Sequence, residues 1–236
     1  MNYFIKKGLL LAIVCMIVST ARAQVGYSYS QYDVGVAAGI NTVYGDAETF
    51  TKTPSVHFNF NYNVSPFVNY VFEIQAGQLK GGDSLKTVSG RQFSNSFTSV
   101  MIRVQLQAGE IIDYSQSQMS NAFKNLYIST GIGFVVNHIT NINRYSILTP
   151  GFYTPGNNNS DELLIPARIG YEFKMFNKFD QPSVKIDLGY QYNFILGDGL
   201  DGYTVGKKKD AYSQITFGVK FALGSSITSY RKQISF

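Results

Sequence analysis

SVKIDLGYQYNFIL, residues Ser183–Leu196, alternates without a break. Val184, Ile186, Leu188, Tyr190, Tyr192 and Phe194 fall on one face of a strand, and Lys185, Asp187, Gly189, Gln191 and Asn193 fall on the other. A period of two describes a strand with one apolar and one wet wall. A soluble sandwich uses the same period with the apolar wall turned inward. The strand is long, however, and its pattern recurs along the chain, which points to a closed barrel that is apolar outside and polar inside.

Seven further segments alternate in the same way, at about 31–41, 54–64, 68–80, 95–108, 125–137, 163–174 and 210–223. Tyr32, Val34, Val36, Ala38 and Ile40 oppose Asp33, Gly35, Ala37 and Gly39; Val56, Phe58, Phe60 and Tyr62 oppose His57, Asn59 and Asn61. Tilted membrane strands need about nine to eleven residues, and each segment reaches that length. The sequence therefore predicts an all-β fold, an eight-stranded antiparallel up-and-down transmembrane β-barrel. Two features favour it over the sandwich: the polar faces mix glycine with charges of both signs, as in a crowded lumen, and the apolar faces are nearly uninterrupted.

The connections sort by length. Residues 42–53, 81–94, 138–162 and 197–209 are long and rich in Gly, Asn, Asp and Thr, whereas 65–67 and 175–182 are short. Long loops outside, short turns inside and an even strand number place both termini in the periplasm. Residues 109–124 depart from this rule. There Ile111, Ile112, Met119, Ala122 and Phe123 predict a short amphipathic helical turn.

The N-terminus supplies an address. Lys6 and Lys7 precede an apolar run from Leu9 to Val18, and Ala21-Arg22-Ala23 has the form of a cleavage site. This is a secretory signal peptide over residues 1–23, with cleavage after Ala23, and its apolar run is too short to span a bilayer. Cys15 lacks the small preceding residue of a lipidated cysteine, so no lipoprotein is expected. Residues 24–223 are then the barrel and 224–236 a short periplasmic tail. Cleavage removes the single cysteine along with Lys6, Lys7 and Arg22, so the net charge falls from +5 to +2 and gives no argument for a nucleic-acid partner. There is no Trp, but 17 Tyr and 18 Phe suit aromatic girdles.

With these segments in place, the chain resembles the small eight-stranded outer-membrane β-barrel proteins, particularly uncharacterised ones of the Bacteroidota. The resemblance is carried by YDVGVAAGINTVYGD (Tyr32–Asp46), NVSPF (Asn63–Phe67), QLKGGD (Gln78–Asp83) and DAYSQITFGVKFALG (Asp210–Gly224). Gly218, Phe221 and Leu223 look like the assembly signal of a final outer-membrane strand. The resemblance implies the cell outer membrane as location. It lacks the peptidoglycan-binding domain of the related outer-membrane protein A type.

Within such a barrel the inward charges Asp33, Glu73, Arg103, Arg168, Glu172, Lys185, Asp187 and Lys220 form a candidate structural network. Counting from the turns sets Glu73 beside Arg103, Glu172 beside Lys185, and Asp187 beside Lys220, with Asp33 close across the closure. Side chains fill so narrow a barrel, and paired charges there are expected to plug it rather than conduct. His57 is expected in the lumen, and His138 at the start of a loop that also holds Ser146 and Asp161; neither sits in a nucleophile motif, so no catalytic residue is expected. Lys207, Lys208 and Lys209, with Lys52, Lys80, Lys86 and Arg91, form a possible lipopolysaccharide-contacting rim. No cofactor or metal site is expected, and Asp198-Gly-Leu-Asp201-Gly is not spaced as a calcium loop. The reading is a monomeric, non-enzymatic barrel contacting outer-membrane lipid and lipopolysaccharide, with an envelope protein as a possible partner. Its alternatives are an accessory subunit of an export or assembly complex, docking through 109–124 and 224–236, and a lipid-A-modifying enzyme.

Overall fold

The computed structural model describes residues 27–45, 49–84, 87, 90–115, 117–147, 149, 151–178, 180–203 and 209–230. The predicted signal peptide lies outside them. Eight long strands run as β1 (Tyr27–Tyr44), β2 (Thr53–Asn63), β3 (Val68–Gly82), β4 (Gln92–Gln107), β5 (Leu126–Asn143), β6 (Asn159–Phe176), β7 (Pro182–Ile195) and β8 (Ala211–Tyr230). Each pairs antiparallel with the next, and β8 closes on β1, so the sheet is an eight-stranded barrel. A two-residue strand, Phe50–Thr51, extends β3 at the long-loop end.

Sidedness follows the alternation. Val36, Val56, Ile102, Ile128, Ile215 and Phe217 are each more than half exposed on the outer wall. Asn59, Glu73, Arg103, Gln191, Thr216 and Lys220 are buried inside. Aromatic rings gather at two levels of the outer wall. Tyr32 lies 5.6 Å from Tyr62, which lies 6.4 Å from Tyr70, at the short-turn end; Tyr44 lies 5.6 Å from Phe50 and 5.8 Å from Tyr192 at the other.

Local chemistry sets the joints. In the β2–β3 turn, Ser65 Oγ accepts the Phe67 and Val68 amides at 3.1 and 3.0 Å, while Pro66 presets the bend. Between β5 and β6 the ladder is interrupted at Gly131–Ile132 opposite Ile165–Pro166 and resumes in the same register. Pro166 has no amide to donate, and Gly131 leans towards β4, where a Cβ would stand 1.9 Å from the Ile102 carbonyl oxygen. The 109–124 excursion holds a 3-10 turn at Ala108–Glu110 and α1 (Gln118–Phe123).

Two expectations need correction. The β5–β6 connection is shorter than 138–162, because both strands run past the apolar belt on polar residues, and His138 and Asp161 sit in strands rather than in a loop. The last strand does not stop at Leu223. It runs to Tyr230, pairing Tyr230 with Tyr27 through two register shifts, so 224–230 belong to the barrel wall rather than to a tail.

Candidate functional site

The lumen is layered. Its lower half, towards the short turns, holds the ionised side chains. Arg103 Nη2 donates to Glu73 Oε2 at 2.6 Å, and Lys185 Nζ to Asp33 Oδ2 at 2.5 Å. Lys220 Nζ bridges two carboxylates, Glu172 Oε1 at 2.5 Å and Asp187 Oδ2 at 2.6 Å. Arg168 Nη2 reaches Asp187 Oδ1 at 2.7 Å, and its Nε donates to the Tyr127 hydroxyl, which in turn donates to Asp187. Neutral donors complete the carboxylates: Gln105 and Gln107 on Glu172, Asn63 and Ser30 on Asp33, Gln75 on Glu73. Each of the four carboxylates thus meets a cation, as buried charges require, and Lys174 at the short-turn edge of the same face donates to Gln107 at 2.6 Å.

Each of the eight predicted lumen charges therefore meets an opposite charge, in three groups, but one expected pair is wrong. Glu172 takes Lys220 rather than Lys185, and Lys185 takes Asp33. Register explains this. Glu172 stands opposite Asp187, and Lys185 stands between Lys174 and Lys220, so the direct cross-strand neighbours are like-charged. Such neighbours repel, and the narrow bore lets each side chain reach across to an opposite charge.

From the long-loop side down to this layer, Ser55, His57 and Glu73 stand in line. Ser55 Oγ lies 2.9 Å from His57 Nε2, and His57 Nδ1 lies 3.3 Å from Glu73 Oε1. The order is that of a nucleophile, base and orienter. The surroundings are not those of an active site. Ser55 also donates to Asn41 at 2.8 Å, and all three side chains are buried. A Cβ on Gly39 would already stand 2.7 Å from Ser55 Oγ and 2.8 Å from His57 Nε2, so the β1 backbone closes over both groups from that side. His138 is exposed on the outer side of β5, bonded to Asn159 at 2.6 Å. The two histidines do not meet. Among the described residues, no group of three or more His, Cys, Asp or Glu is placed to hold a metal.

The long-loop half carries a feature the sequence reading missed. Val43, Leu79, Phe93, Phe97, Met101, Val135, Leu164, Ile195, Leu200, Tyr203 and Tyr212 form a buried apolar cluster inside the bore. Leu79, Val135 and Ile195 continue the inward parity of their strands, so extending the alternation would have found them. Leu200 and Tyr203 come from the 197–209 loop, folded inward. Tyr203 donates to the Asn143 and Gln92 carbonyls at 2.8 and 3.1 Å. Beside it Asp210 accepts the Leu200 amide at 2.8 Å. Burial and the neighbouring Asp201 carboxylate push the Asp210 carboxyl up to about 8. At the short-turn end the tilted rings of Phe67 and Tyr114 pack with centroids 5.4 Å apart, and the Lys174 ammonium lies 4.9 Å from the Phe67 ring. A cavity of about 10 Å³ lies between Glu73, Arg103, Arg168, Asp187 and Lys220, room for about one water.

The basic rim is only partly described. Lys86, Lys207 and Lys208 lie outside the described residues. Lys52, Lys80 and Lys209 are exposed, with Lys80 opposite Thr51, the neighbour of Lys52.

No family model and no curated protein matches the chain. Among solved structures it is similar to Neisserial surface protein A, with 15% identity, 83% of this chain and 99% of that chain covered, and a TM-score of 0.45. It is also similar to Ail, the attachment invasion locus protein of Yersinia pestis, with 12% identity, 82% and 98% covered, and a TM-score of 0.43. For OprG of Pseudomonas aeruginosa the figures are 11% identity, 84% and 99% covered, and a TM-score of 0.35.

Proposed function

We propose that this chain is an integral outer-membrane β-barrel, exported through a cleaved signal peptide and non-enzymatic, whose bore is closed by its own side chains. The observation that carries the proposal is sidedness. All eight network charges point into the bore and are paired there, while the outer wall is an apolar belt. Exposing that belt to water would cost far more than a soluble domain tolerates, and a hydrocarbon solvent removes the cost. The belt has the right height. Twelve residues separate Tyr32 from Tyr44 on β1. At about 3.3 Å each, tilted by about 40°, they span roughly 30 Å, the thickness of a bilayer core.

The filled bore supports a structural or binding role over conduction. Its functional surfaces are then the loops and the strand ends beside them, where Lys52, Lys80 and Lys209 would contact lipopolysaccharide phosphates. The sealed Ser55–His57–Glu73 line speaks against lipid-A chemistry. Refolding urea-denatured protein into lipid vesicles tests both statements. The expected outcome is heat-modifiable gel mobility with no steady conductance in a planar bilayer. A chain that folds without detergent or lipid would refute the membrane placement, and stable conductance would refute the closed bore.

A further inference from the structure

The outer-membrane reading leaves the excursion between β4 and β5 without a role. It leaves the wall after Gln107 and returns at Leu126, and its base is closed by the Gly109 amide donating to the Lys124 carbonyl at 2.7 Å. Six residues are too few for a helix to persist alone. Two contacts hold α1: Ser117 caps it by accepting the Ser120 amide at 3.0 Å, and Tyr171 donates its hydroxyl to the Ala122 carbonyl at 2.6 Å. That second contact fixes where the helix lies. Tyr171 belongs to the outward face of β6 and packs its ring 4.6 Å from Phe173. The helix is therefore held at the outer edge of the rim rather than over the bore.

Its faces are unlike. Asn121 is buried, whereas Met119 and Phe123, four residues apart and so on one side, are 72% and 52% exposed, and Ile111 nearby is 74% exposed. Leu126, where the chain re-enters the wall, and Met175 and Phe176 at the short-turn end of β6 are exposed apolar side chains as well. Resting on the membrane placement above, we propose that the 108–125 excursion is an interfacial anchor, with Ile111, Met119 and Phe123 seated in the periplasmic leaflet at the level where headgroups meet acyl chains. A helix with one apolar face lies in that plane. A protein partner fits less well, because three side chains fall well short of the roughly 800 Å² per partner that a stable interface buries.

The chain contains no Trp, so single Trp substitutions report cleanly. Met119→Trp and Phe123→Trp test the anchor, and Phe217→Trp, midway up the belt, is the control. Each is folded into phosphatidylcholine vesicles containing lipid brominated either near the carbonyl end or near the middle of the acyl chain. The anchor predicts blue-shifted emission at 119 and 123 that loses most of its intensity to shallow bromine and less to deep bromine, with the order reversed at 217. Water-like, unquenched emission at 119 and 123 beside a quenched control overturns the anchor alone. Emission that is water-like in vesicles but blue-shifted in native membranes also overturns it, assigning the patch to a protein partner. An unquenched control overturns the membrane placement itself.

Discussion

Lys220 bridges Glu172 and Asp187 in the lower lumen, and removing its charge has a calculable consequence. In Lys220→Met the apolar stem is conserved, while Glu172 and Asp187 lose the ammonium that bridges them. The two carboxylates it bridges are not equally affected. Asp187 retains Arg168 at 2.7 Å and the Tyr127 hydroxyl. Glu172 keeps as direct donors only the neutral amides of Gln105 and Gln107 at 3.2 and 2.6 Å, while the Lys185 and Lys174 charges act on it from further away. Leaving one member of a buried pair uncompensated costs about 3–5 kcal/mol. Glu172→Gln added to Lys220→Met removes the orphaned charge and keeps the side-chain shape, so the double variant should recover more than half of the loss. Urea unfolding from lipid vesicles, read as a double-mutant cycle, measures both. A Lys220→Met loss below about 1 kcal/mol, or a double variant no more stable than the single, would refute the claim that a paired network holds the bore.

Other perturbations test other parts. Gly131→Ala drives a methyl into the Ile102 carbonyl, a backbone atom that cannot swing aside, and should lower stability by about 1–3 kcal/mol in the same assay. Ser55 should resist a fluorophosphonate reagent in the folded barrel, since its hydroxyl is buried and engaged by Asn41 and His57; stoichiometric labelling would reopen the enzymatic reading. Asp210 is raised when folded, so the folded state binds the extra proton. The stability it contributes is complete below the ordinary carboxylate range and is lost as pH rises towards about 8. Asp210→Asn should flatten that part of the stability profile, measured by thermal unfolding across pH.

How far the fold can be read from the sequence depends on where the two walls differ. At Val184–Phe194 apolar and polar residues strictly alternate, so strand, sidedness and neighbours follow together. Near the loops the signal fades. Asn137, His138 and Asn141 are polar on both faces, so hydrophobic alternation cannot show that β5 continues to Asn143, nor that β8 continues through Ser225–Ser229 to Tyr230. The eight lumen charges are legible as inward-facing, because parity alone decides that. Their partners are not: whether Lys185 reaches Glu172 or Asp33 depends on stagger across the bore, a property of closure rather than of any one strand. Leu200 and Tyr203 were hidden for a different reason. They belong to a loop without periodicity, and only the folded-in course of 197–203 makes them part of the apolar cluster.

Sidedness of β7 is the claim on which everything else depends, and a spin-label scan of 183–196 measures it most directly. The only cysteine is Cys15, within the proposed signal peptide, so in protein expressed from Gln24 onward single cysteines placed along the strand can each carry one label. For protein folded into vesicles, labels at Leu188, Tyr190 and Phe194 should relax strongly with oxygen and weakly with a water-soluble nickel chelate. Labels at Gly189, Gln191 and Asn193 should be shielded from both. High nickel accessibility at the first set, or no period of two in either profile, would contradict an apolar wall facing lipid around a filled bore.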